Sequence, residues 1–308
     1  MDLSALMQTM VLLFATIAAG YAAVKLKLVD DNFSRSLSRL ILFLLQVCMV
    51  LGSVLRTEHL LTNPQVLALT AIAIGCYVLL IAGALGIAKL LRVPQNDRGT
   101  YQFLFVLSNV GFIGYPVVDA LFGTNARFYV TIFILIFQLV AFTYGVFLMS
   151  GDRKHIRISK ELLKKPVVVA SVFAYLFYLT GLSAPQLLAD TVSYVGNLTT
   201  PTSMLVIGCS LALVPIRSVF CNWRLYALLA VKMVLVPLLC YVVLQPVLHN
   251  ELLLGIVVVM MAMPCATNAT MLSVEYGGNT PLASSGIFLS TVLSIGTIPA
   301  IMWLLFVH

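Results

Sequence analysis

The sequence predicts an all-α polytopic membrane protein of ten transmembrane helices arranged as two inverted five-helix repeats. Three observations lead there. Of the 308 residues, 61% are hydrophobic and 9% charged, a balance outside that of soluble globular domains. Apolar runs of about twenty residues, the length that crosses a hydrocarbon layer of roughly 30 Å, recur along the whole chain. The most basic loop, "SGDRKHIRISKELLKKP" at 150–166, divides these runs into two sets of five. Because five is odd, the second set must run upside down relative to the first.

In order, the spans are 5–24, 36–55, 66–91, 101–122, 126–149, 164–181, 188–214, 224–246, 251–274 and 282–306. The first follows only Met1 and Asp2, has no basic leader and no convincing A-x-A cleavage site, and so reads as a retained helix. The domain organisation expected is a first repeat over 1–149, a short cytoplasmic loop at 150–166 and a second, inverted repeat over 167–308.

The net charge of +7 does not point to nucleic acid, because the basic residues sit in loops between spans and follow the positive-inside rule. With the N-terminus outside, fifteen of the 18 Lys and Arg residues face inside, only Arg56 and Arg127 face outside, and Lys232 falls within a span. Both termini are then expected on the external or periplasmic side of a multi-pass inner membrane. The six cysteines, Cys48, Cys76, Cys209, Cys221, Cys240 and Cys265, lack C-x-x-C spacing and read as small hydrophobes. No metal or cofactor is implied.

Sliding the chain by half its length, 154 residues, lays "LSNVGFIGYPVVDALFGTN" (107–125) over "MAMPCATNATMLSVEYGGN" (261–279), so that Gly123 meets Gly277 and Asn125 meets Asn279. Identities elsewhere are sparse. The irregularities carry the signal: in both halves the fourth span holds Asn, Gly, Pro or Thr near its middle. One such helix is ordinary, since Gly and Pro are common in membrane helices. Two at corresponding places in two halves point to a midplane binding site.

The chemistry of these stretches supports that reading. Gly111 and Gly114 flank the approach to Pro116, which cannot donate a helical hydrogen bond. Irregular backbone at membrane depth survives only where protein or a water-filled cavity satisfies it, and Asn109 can do part of that. Pro116 suits the first position of a new half-helix, whose N-terminal dipole attracts anions. In the other stretch Pro264 frees the Met260 carbonyl, and Thr267, Asn268 and Thr270 supply side-chain donors and acceptors. If the two spans cross, both polar elements meet at one point.

Charges within spans are expensive and functional by default. Lys232 lies roughly 13 Å along its helix from Trp223, near the midplane; it either snorkels to the interface or serves as counter-charge or gating partner. Asp119, one turn past Pro116, is a candidate coupling carboxylate or a solvated position. Glu275 and Tyr276 suit capping or interface roles. The sequence contains no HExxH, G-x-S-x-G or Walker loop, and His59, His155, His249 and His308 all sit in loops or at the terminus. An enzyme is therefore not expected, and transport would be driven by a gradient or an associated subunit.

The stretches "SNVGFIGYPVVDALFG" (108–123), "TTPTSMLVIGCSLA" (199–212) and 261–305, with its A-M-P, Y-G and S-T-x-x-S-x-x-T-I-P landmarks, resemble the auxin efflux carrier family of membrane transporters. That family includes plant auxin carriers and bacterial malonate or malate permeases, and is related in fold to bile-acid sodium symporters. The resemblance implies crossed broken helices 4 and 9. It implies a scaffold of spans 1, 2, 6 and 7, often a homodimer interface, and a transport domain of spans 3–5 and 8–10 moving as an elevator. The substrate would be a small organic anion, an auxin-like or dicarboxylate compound, bound by Asn109, Gly111, Gly114 and Pro116 on one arm and Pro264, Thr267, Asn268 and Thr270 on the other. Where family members often have proline in the second span, this chain has Gln46, which could line the substrate face. The short 150–166 loop favours a bacterial-type permease. The coupling ion, sodium or proton, is left open, as is the rival reading of a membrane-embedded sensor that binds ligand without moving it.

Overall fold

Helix α1 spans Leu3–Lys25, α2 Asp31–Leu40, α3 Gln46–Leu55 and α4 Asn63–Leu90 in the computed structural model, which describes residues 3–55, 62–151, 166–212 and 222–306. They are followed by α5 (Arg98–Val106), α6 (Gly114–Phe122), α7 (Arg127–Val140), α8 (Val146–Ser150), α9 (Pro166–Thr180), α10 (Gln186–Asn197) and α11 (Thr199–Ala212). The chain closes with α12 (Trp223–Ala230), α13 (Val236–Leu244), α14 (Glu251–Ala262), α15 (Asn268–Tyr276) and α16 (Thr280–Phe306). Single π-helical turns at Ile41–Leu45, Ala141–Gly145 and Val231–Leu235 join α2 to α3, α7 to α8 and α12 to α13. Most of the basic 150–166 loop, with Arg56, Arg217, His59, His155, His308 and Cys221, lies outside the described residues.

Among the described residues the only β-pairing is one isolated bridge, so the all-helical class holds. Six segments of the described residues are long and apolar enough to cross a membrane: Met7–Lys25, Asn32–Leu55, Asn63–Leu90, Thr124–Ser150, Trp223–Leu244 and Thr280–Phe306. Pro166–Thr180 is apolar but shorter. The expected spans 101–122, 188–214 and 251–274 are each covered by two shorter helices, α5 with α6, α10 with α11 and α14 with α15.

The helices fall into two compact units. One holds α1–α3, α6, the first part of α7 and α9–α11. There α1 packs along α11, and the contact is made by glycine: Gly20 faces the Leu205 backbone and Gly208 faces the Ile17 carbonyl, leaving no room for a Cβ on either. Small residues let membrane helices approach this closely when lipid supplies no hydrophobic drive. Helix α3 packs on α9 and α10, and α6 rests on α1.

The second unit holds most of α4, together with α5, α8 and α12–α16. Its centre is α5, buried from Thr100 to Val106 and packed on α8, α12, α15 and α16. Helix α14 is buried from Leu253 to Ala262 and lies against α13 and α16. Its start is capped by Asn250, whose side chain accepts the Leu253 N–H, the arrangement that satisfies one orphan donor of a first turn.

Two boundaries coincide under the shift of 154 residues. Helices α6 and α15 are each nine residues long, Gly114–Phe122 and Asn268–Tyr276. Each stops at a glycine with positive φ, +83° at Gly123 and +85° at Gly277, a backbone region that a Cβ disfavours.

Candidate functional site

The helical hydrogen-bond pattern lapses twice at buried depth in the second unit. Helix α5 stops at Val106, and Leu107 turns extended at φ −102°, ψ 118°. Helix α14 stops at Ala262, and Met263 is extended at φ −61°, ψ 144°, the conformation that a following proline enforces. These two exits pair with each other. The Asn109 N–H donates to the Pro264 carbonyl over 2.7 Å, and the Ala266 N–H donates to the Leu107 carbonyl over 3.0 Å. Ser108 and Cys265 are thereby opposed in the antiparallel bridge.

The C-terminal carbonyls of α5 need partners from outside the helix, and the structure supplies them. Leu104 O accepts from Cys265 Sγ at 3.2 Å. Phe105 O accepts from Lys232 Nζ at 2.9 Å, and Ser108 Oγ accepts from the same Nζ at 2.9 Å. The Cys265 N–H donates to Ser290 Oγ of α16 at 3.0 Å. Buried main-chain groups without a helical partner are thus satisfied by protein.

Lys232 does not snorkel. It stands in the π-helical turn ahead of Pro237, is 1% exposed and spends two of its three N–H donors on the end of α5. Ser108, Cys265 and Ser290, which the sequence reading did not single out as site residues, complete the arrangement. Ser108 was visible as the neighbour of Asn109; Cys265 was hidden by its usual role as a small hydrophobe.

On the far side of the second interruption, Thr267 occupies the N-cap of α15 but makes no capping bond, and Asn268 is the first helical residue. Both are half-buried. Thr270 Oγ1 shares a hydrogen bond with Ser284 Oγ at 3.2 Å, and Thr270 therefore belongs to the α15–α16 contact. Pro264 contributes its carbonyl to the bridge.

The remaining expected site residues lie in the first unit. Gly111 approaches Gln46 so closely that an added Cβ would stand 2.9 Å from Gln46 Nε2. Gln46 is buried, and its Oε1 takes no hydrogen bond among the described residues. Helix α6 begins at Gly114, so Pro116 is its third residue and not its first. The shift costs nothing, because none of the first-turn N–H groups has an intrahelical partner. Helix α6, like α15, has no side-chain cap.

Asp119 is in an ion pair. Arg127 Nε reaches both its carboxylate oxygens, at 2.8 and 2.9 Å, and Arg127 Nη1 donates to Asn197 Oδ1 at 2.9 Å. Glu275 lies in the last turn of α15 and Tyr276 ends it, next to Asn279, whose side chain caps α16 through the Leu282 N–H and donates to Asp97 Oδ1 at 2.7 Å.

An all-helical chain with six described helices long and apolar enough to cross a membrane, and with buried irregular backbone between shorter ones, has the make-up of a multi-pass membrane protein. The chain belongs to the membrane transport protein family, the family of the auxin efflux carriers, whose family model matches residues 5–302. It is 25% identical over 307 residues to an uncharacterized transporter of Methanothermobacter thermautotrophicus, covering 95% of this chain and 96% of that one. An uncharacterized transporter of Methanocaldococcus jannaschii is 20% identical over 307 residues, with 97% and 98% covered. A protein of Rhizobium meliloti named "Putative malonate transporter" is 22% identical over 243 residues, 76% of this chain and 75% of its own.

Proposed function

We propose that the protein is a secondary transporter of small organic anions, carboxylates of auxin-like or dicarboxylate size, that works by alternating access of the elevator type. The observation that carries this reading is the bridge between 107–109 and 264–266, with the Lys232 ammonium bonded to it. Two helices stop at one place, and a positive charge sits beside the stop. An anion there gains from the charge and from the uncapped first turn of α15. Asn109, Thr267 and Asn268 are proposed to orient it. The name of the Rhizobium relative suggests malonate as the first compound to try.

In the same reading the chain crosses the membrane ten times in two inverted repeats, with interrupted spans 4 and 9 crossing. The equal lengths and glycine ends of α6 and α15 support this. Spans 1, 2, 6 and 7 form the scaffold and a homodimer interface, spans 3–5 and 8–10 the transport domain. Both termini face the outside of the cell membrane, and a sodium or proton gradient drives the cycle.

Counterflow into proteoliposomes tests the proposal. Vesicles preloaded with malonate or another dicarboxylate should accumulate the labelled compound, with sodium and pH gradients varied separately. Binding of these anions without any counterflow would replace the transporter reading with that of a sensor.

A further inference from the structure

The second unit carries a cleft of about 600 Å³ that the anion site does not use. It runs between α4 and the α12–α13 helix, with Phe105 and Met261 at its floor. Its walls are aliphatic, contributed by residues such as Leu79, Ile87, Leu235 and Leu239. The polar side chains in its lining are the Cys76 and Cys240 thiols, weak donors that give a small carboxylate little to bind. Glycine makes the room: Gly75 lines the cleft and has no atom within 4 Å of where its Cβ would stand.

One end of the cleft reaches Leu90. There the surroundings change from apolar to cationic. Lys89 and Arg92 flank Leu90 and Leu91 and are exposed. Arg224 Nε donates to the Leu91 carbonyl at 3.1 Å, and its guanidinium lies over the Trp223 ring at 5.4 Å. Trp223 is 61% exposed, as a tryptophan at headgroup level is. Arg224 at an interfacial tryptophan, with Lys89 and Arg92 on either side of the Leu90–Leu91 pair it reaches, stands at the end of a long apolar cleft and matches an amphiphile with an anionic head and a hydrocarbon tail.

We propose that this cleft is a binding site for one anionic phospholipid, its acyl chain between α4 and α13 and its phosphate at Lys89, Arg92 and Arg224. The hydrocarbon tail fills space that water would occupy only at a cost, since an apolar cavity offers it no partners. The headgroup preference comes from the three cations.

Native mass spectrometry of the full-length protein, released from vesicles of equal phosphatidylglycerol and phosphatidylcholine content, tests both halves. The wild-type protein should retain one phospholipid, phosphatidylglycerol in preference. Gly75→Leu places a side chain in the open cleft and should reduce retention at least tenfold, with melting temperature and elution volume unchanged. Lys89→Gln with Arg92→Gln should keep a lipid but lose the preference for phosphatidylglycerol. Equal retention by Gly75→Leu overturns the cleft as the site. An unchanged headgroup preference in the double variant overturns the role of the cations. Malonate counterflow is a separate readout, so failure here leaves the anion site standing and the reverse.

Discussion

Lys232 Nζ lies 2.9 Å from the Phe105 carbonyl oxygen, so an ammonium from one helix closes the C-terminal end of another. A helix end carries a partial negative charge, and a lysine there is held by charge as well as by hydrogen bonding. Replacement by Met keeps the bulk but leaves Phe105 O without this donor and Ser108 Oγ without the Lys232 bond. Losing a buried charged partner of this kind costs about 1–3 kcal/mol. Lys232→Met should therefore melt at lower temperature and lose anion uptake, whereas Lys232→Arg should recover part of the stability. Wild-type melting and uptake in Lys232→Met would remove the lysine from the site.

The Asn109 main chain, not its side chain, forms the bond to Pro264 O. Asn109→Ala should accordingly leave the main-chain bridge intact while removing the amide offered to substrate. Asn268→Ala, at the start of α15, should behave the same way. A hydrogen bond to a charged ligand is worth about 1.5–3 kcal/mol, roughly a tenfold to hundredfold loss in apparent affinity. Counterflow measured against substrate concentration reads this, and unchanged kinetics in both variants would place the anion elsewhere.

The apolar runs made the helices legible in the sequence, and Gly, Pro and Asn marked where two of them stop. The partner of each stop was not legible. The bridge between Ser108 and Cys265 uses main-chain groups, which every residue carries, and no side-chain pattern encodes which extended segment meets which. Lys232 stood out as a charge within a span, but its target is 127 residues away in sequence, and the widened turn that carries it is invisible to a 3.6-residue period. The sequence starts α6 at Pro116, two residues late, for a related reason. Proline fits anywhere in a first turn, so it locates a start only to within that turn. Asp119 and Arg127 were read separately because eight residues and the Gly123 turn separate them, outside the spacing at which helical neighbours meet.

Asp119 and Arg127 join α6 to α7 across that turn. Both side chains are about one-fifth exposed, so solvent screens the pair and its worth is about 1 kcal/mol. Asp119→Asn and Arg127→Gln should each lower the melting temperature by a few degrees, and the double variant should cost less than the sum. Proton or sodium dependence of transport should survive Asp119→Asn. Its abolition, with folding intact, would instead assign Asp119 to ion coupling.

Helices α1 and α11 test how far glycine sets the packing. A Cβ on Gly208 would stand 2.0 Å from the Ile17 carbonyl oxygen and 2.8 Å from the Tyr21 nitrogen. Both are backbone atoms of α1 and cannot turn aside as a side-chain end would. Gly208→Ala must push the helices apart, at a cost of about 1–3 kcal/mol for overpacking, and further if Gly20 loses its seat on Leu205. Gly86→Ala is the matched control, since nothing lies within 4 Å of that position and alanine is the better helix former. Thermal melting in detergent should fall for Gly208→Ala and hold or rise for Gly86→Ala. Equal melting of the two variants would mean that α1 and α11 do not rely on glycine for their approach.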